Sequence, residues 1–113
     1  MDGYIASGYL EEVFVGALHN YLGFAEKHLE LPLPLQIEAG LVGIKGYPIT
    51  VSPNGFGGRA LHDHVQWQGE VLSYEKPSYE ILEPFFKLVW AKCGIPRPGA
   101  NQVELAKRFA KLR

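Results

Sequence analysis

From Gly8 to about His28 the apolar residues Leu10, Val13, Phe14, Ala17, Leu18, Tyr21, Leu22 and Ala25 recur at spacings of three and four. On a 3.6-residue helix that spacing gathers them onto one amphipathic face. Ser7 is placed to cap the start, and Glu11 and Glu12 stand near the positive end of the helix dipole. The helix has to stop before "LPLP", because Pro32 and Pro34 lack amide donors and push the residues before them into extended geometry. A helix with one apolar face needs a second layer to cover it.

The following stretch supplies that layer as strands. Leu35, Ile37, Ala39 and Leu41 alternate with Gln36, Glu38 and Gly40, and Tyr47, Ile49 and Val51 repeat the pattern after the turn signal "GIKG". "SPNGFGG" has the composition of a hairpin loop. Leu61, Val65 and Trp67 form the apolar parity of a third strand, with His62, His64, Gln66 and Gln68 on the other, and three successive short strands favour an antiparallel meander. A second helix is expected from about Tyr79 to Cys93, stopped by Gly94; Pro84 is harmless if that helix begins near Glu80 and kinks it otherwise. Asn101 and Glu104 resemble a capping box for a last short helix. The expected architecture is a single α+β domain over 1–113, with a core of about 8–98. In it a three-stranded antiparallel sheet is covered on one face by two helices, and a short basic C-terminal helix follows at about 101–113.

A chain of 113 residues, 47% of them hydrophobic, is long enough to fold around one core without a staple. The single cysteine, Cys93, excludes an internal disulfide and a Cys-rich zinc site and fits a reducing, cytoplasmic setting. No apolar run approaches the roughly 18 residues that span a bilayer, so no membrane association is expected. The net charge of -1 gives no global attraction to nucleic acid, but it is unevenly spread. Asp2, Glu11, Glu12, Glu26, Glu30 and Glu38 face only Lys27 in residues 1–40, whereas Lys87, Lys92, Arg97, Lys107, Arg108, Lys111 and Arg113 face only Glu104 in residues 85–113.

Chemistry-bearing residues are few. His62 and His64 share a strand face in the expected register, so with Glu70 they would make a two-histidine, one-carboxylate metal set. The plainer reading leaves them on the wet side of a strand or in a pH-sensitive contact. "GFGGRA" lacks the following helix that a phosphate loop uses, and reads as a hairpin with Phe56 at its tip. Cys93 lies on an apolar helix face near a C-terminus, where a thiolate is disfavoured. Lys107, Arg108, Lys111 and Arg113 form a basic patch that suits either phosphate or bulk solvent. No cofactor motif is present.

The segment "YEILEPFFKLVWAKCGIPRP", the helix "YLEEVFVGALHNYLGFAEKHL" and the strand pair around "IEAGLVGIKGYPI" resemble the C-terminal accessory region of bacterial Schlafen/AlbA-type DNA-binding (ATP-binding) proteins. The resemblance covers roughly residues 8–98 and implies a separated accessory domain of a nucleic-acid-associated protein. In that family the nucleotide chemistry lies in another domain, so no functional residue carries over. The expectation is therefore a non-catalytic interaction or assembly module, a homo-oligomer or the partner of another protein domain, with Tyr47, Phe56 and Trp67 as contacts. A small metal-binding domain using His62 and His64 is the alternative.

Overall fold

The computed structural model describes residues 4–52 and 55–109. Helix α1 (Ser7–Lys27) leads into strands β1 (Leu35–Val42), β2 (Pro48–Ser52), β3 (Gly55–Arg59) and β4 (His64–Val71). A single helical turn α2 (Ser78–Ile81) and helices α3 (Glu83–Lys92) and α4 (Gly99–Phe109) follow. The class is α+β with antiparallel pairing, but the expected three-stranded meander is replaced by two ribbons, β1 with β4 and β2 with β3.

Two local causes move the strands from their expected places. The glycine-rich stretch read as a loop contains β3, because its bare backbone presses against the end of α3. A Cβ at Gly58 would lie 1.8 Å from the Cys93 carbonyl oxygen, and one at Gly57 would lie 2.2 Å from Ile95 Cδ1. The expected third strand begins at His64 instead of Leu61, whose amide donates to the Lys92 carbonyl at 3.0 Å and whose side chain is exposed. The nested order sets the β2–β3 ribbon between the two strands of the β1–β4 ribbon in the chain. Ile44 N–H donates to Asp63 O at 3.2 Å and Gly46 N–H to Ala60 O at 2.8 Å across the gap between the two ribbons. Gly43 and Gly46, with φ of 70° and 85°, take the left-handed conformation that bends the chain there.

Ser7 does not cap α1. It is the first helical residue, and its Oγ donates to Thr50 O at 2.7 Å while its amide donates to Thr50 Oγ1 at 2.9 Å. With the parallel bridge between Ile5 and Ile49, this pins the helix start to β2. The chain then packs Val15, Ile49, Val65, Phe85, Phe86, Val89, Trp90 and Cys93 into one core and Leu22, Val71 and Ile81 into a smaller one. The buried face of α1 is Ser7, Glu11, Val15, Leu22 and Ala25. Val13, Ala17 and Tyr21, expected on it, are exposed. Apolar residues run around more of α1 than one sheet face covers, so burial selects one stripe and leaves another in water.

The second helix breaks at Leu82, and Pro84 falls in the first turn of α3, where its missing N–H is not needed. Gly94 ends α3 as expected: at φ 83° its N–H reaches Ala91 O at 2.9 Å and the Ile95 N–H reaches Trp90 O at 3.3 Å, the bonding pattern of a Schellman cap. Helix α4 starts at Gly99, ahead of Asn101, which therefore does not cap it. Among the described residues no helix is long and apolar enough to cross a membrane.

Two glycines separate close packing from helix propensity. Gly58→Ala forces backbone apart and is expected to destabilise by about 1–3 kcal/mol. Gly16→Ala, in open space inside α1, is expected to stabilise by about 0.5–1 kcal/mol. Urea unfolding of the two variants, with midpoints moving in opposite directions, checks the packing of β3 on α3.

Candidate functional site

The histidine pair does not assemble the expected metal set. His62 and Asp63 lie in the bend before β4 and His64 is its first residue, all three exposed. His64 stands opposite Val42 at one end of the β1–β4 ribbon and Glu70 opposite Gln36 near the other. Six residues of strand separate His64 and Glu70 by about 20 Å. His28 stacks on Phe24 at 5.3 Å at the end of α1, and His19 lines a cleft elsewhere. Among the described residues no three His, Cys, Asp or Glu side chains come together as a possible metal site.

The uneven charge of the sequence resolves into internal pairing. Arg97 Nη2 and Nε donate to Glu11 Oε1 and Oε2 at 2.8 and 3.1 Å, a bidentate pair in which each side chain is 3% exposed. Trp90 Nε1 donates to the same Oε2 at 3.0 Å, and the Asn101 amide nitrogen lies 3.4 and 3.5 Å from the two carboxylate oxygens. Arg97 continues through Nη1 to Gln102 Oε1 at 2.9 Å, and Gln102 Nε2 donates to Tyr79 O at 3.0 Å. The guanidinium also lies 5.1 Å from the centre of the Phe86 ring. One buried carboxylate thus ties α1 to α3, to the loop after it and to α4. A second, exposed pair joins Arg108 to Glu12 at 2.7 Å, and Lys87 reaches Glu83 at 3.9 Å.

This network is not visible in local sequence rules. The helix dipole alone does not account for Glu11, which sits four residues after Ser7 and four before Val15, inside the stripe that becomes buried. A carboxylate in a core register calls for a cation, and Arg97 between Pro96 and Pro98 is held on a constrained loop. The basic patch is reduced accordingly: Arg97 is buried and Arg108 is paired, while Lys107 is exposed. Lys111 and Arg113 lie outside the described residues.

The expected contact residues separate. Trp67 belongs to the inner layer, its ring centre 6.0 Å from that of Phe85 and its far edge lying over Gly69, where a Cβ would meet it at 2.2 Å. Tyr47 is 37% exposed at the junction of the two ribbons. The Phe56 side chain lies outside the described part of the chain. The larger apolar surface is on α1, where Tyr9, Val13, Tyr21 and Phe24 are 72%, 48%, 49% and 51% exposed and Ala17 lies between them. Ala17 and Tyr21, with Phe14 and Leu18, form one wall of a groove of about 380 Å³ whose other wall is Gln36, Ile37, Glu38 and Ala39 of β1.

A second cleft of about 500 Å³ lies between the C-terminal half of α1 and residues 74–78, with Glu26, Lys27, Glu75 and Lys76 giving it both signs of charge. Tyr74 crosses to donate to Leu31 O at 2.7 Å. No family model matches the chain, and neither does any curated protein or solved structure.

The two arginines should respond differently to substitution. Arg97→Met leaves a buried carboxylate without its cation and is expected to cost about 3–5 kcal/mol. Arg108→Ala removes an exposed pair and is expected to cost less than about 1 kcal/mol; guanidinium unfolding of both measures the contrast. Burial pushes the Cys93 thiol above its ordinary pKa, so labelling by a thiol reagent at neutral pH should wait for unfolding and accelerate sharply with denaturant.

Proposed function

We propose that the chain is an interaction and assembly module whose contact surface is the solvent side of α1. The observation that carries this reading is the exposed apolar stripe Tyr9, Val13, Ala17, Tyr21 and Phe24 on a helix whose opposite face is already buried in the core. A surface helix ordinarily turns charged and polar residues outward, and a contiguous apolar patch marks a contact. The Arg108–Glu12 and Arg97–Glu11 pairs weigh against a nucleic-acid surface at the basic end, since both arginines have carboxylate partners within the chain.

The stripe carries few charges, so the partner it suits is apolar and the simplest candidate is a second copy. Val13→Glu and Phe24→Glu place charge in the middle and at the end of the stripe without touching the core. Size-exclusion chromatography with light scattering is expected to give twice the chain mass for the natural protein and the single-chain mass for both variants, with unchanged circular dichroism. A natural protein that stays at the single-chain mass, or variants that keep the doubled mass, would count against the reading.

A further inference from the structure

We infer that β1 pairs edge to edge and antiparallel with β1 of a second copy, joining two ribbons into one four-stranded sheet in the order β4, β1, β1, β4. The inference rests on the assembly reading above and names its mode. In a two-stranded ribbon every second residue of β1 turns its N–H and C=O away from β4. Among the described residues no backbone bond joins β1 to any element other than β4.

The other ribbon shows how this fold treats an edge that is not meant to pair. Ile5 bonds along β2, with its N–H on Pro48 O at 2.7 Å and its carbonyl accepting from Thr50 N at 3.0 Å. β3 is held against the end of α3 at Gly58. Neither β1 nor β4 has such cover among the described residues, and β1 is the edge that lies beside the exposed stripe of α1 without any of the usual blunting devices. It runs in register with β4 over all eight residues, without a bulge, and its sequence "LQIEAGLV" contains no proline or lysine. Its one charge, Glu38, already accepts from Gln68 Nε2 at 2.7 Å.

Three further points select a second copy as the occupant. The groove beside β1 is walled by Ala17 and Tyr21 of the exposed stripe, so strand pairing and helix contact occur on one continuous surface. The apolar stripe of α1 is complementary to itself, and antiparallel pairing about a two-fold axis closes after two chains. The exposed area is of the right order. Tyr9, Tyr21 and Phe24 expose roughly 300–400 Å² between them, about half of the ~800 Å² each partner gives to a stable interface, and Val13, Ala17 and the edge of β1 add to it. Two Glu38 side chains directly opposite would repel, which places the axis elsewhere along the strand.

Hydrogen exchange by mass spectrometry on the natural protein at low and high concentration, with native mass spectra of the same samples, tests this. The expected result is a doubled mass at high concentration together with amides of 35–42 slowed at least about tenfold, while those of 64–71 are unchanged. A doubled mass with no slowing in 35–42, or with slowing in 64–71 instead, overturns the edge pairing and leaves the assembly reading standing. A single-chain mass at both concentrations overturns the two together.

Discussion

The bidentate pair between Glu11 and Arg97 is the contact on which the arrangement of helices depends. Two ions taken out of water cost several kcal/mol, and only close geometry with further donors offsets it. Here the carboxylate accepts from Arg97 at 2.8 and 3.1 Å and from Trp90 at 3.0 Å, and the guanidinium is shared with Gln102 and faces Phe86. Against a typical domain stability of about 5–15 kcal/mol, losing one partner of such a pair is a large change. The pair also fixes rotation. With Glu11 turned inward, Val15, Leu22 and Ala25 follow it into the core, and Tyr9, Val13 and Phe24 are turned out.

The same choice of face links the fold to its surface. α1 has more apolar residues than the β1–β4 ribbon and the other helices can cover, and the remainder is gathered on one side next to the open edge of β1. Elsewhere the chain covers its exposed backbone: the residue-5 bridge lies on β2, the end of α3 lies on β3, and the Schellman cap closes α3. The β1–β4 ribbon keeps both outer edges unpaired among the described residues, and only that of β1 lies beside an exposed apolar helix face. Among the described residues no buried side-chain nitrogen or oxygen lacks a partner.

Much of this was legible in the sequence where the signal is local. The 3.6-residue period gave α1 to within a residue at each end, the alternation from Leu35 gave β1, and Gly94 marked the end of α3. Cys93 is legible as a core residue, because a small apolar side chain on a helix face packs wherever the helix packs. What was not legible is what depends on distant partners. Alternation at Leu61, Val65 and Trp67 fits a strand starting at 61 or at 64, and only the bond from Leu61 N–H to Lys92 O decides it. Glycines in 55–58 looked like a loop because their role, to let β3 approach Cys93, is set by a residue 35 positions later. Glu11 and Glu12 are indistinguishable by local rules, yet one is buried against Arg97 and the other pairs at the surface with Arg108. For the candidate site the result is similar: the histidines drew attention as a short-range motif, whereas the α1 stripe emerged only once the buried face was known.

The most direct test of the claim that the outward face of α1 meets a second copy is an isotope-filtered NOE experiment on a mixture of labelled and unlabelled chains. Intermolecular contacts among Val13, Ala17, Tyr21 and Phe24 are the predicted result. A spectrum in which these side chains show intramolecular contacts alone would contradict the account.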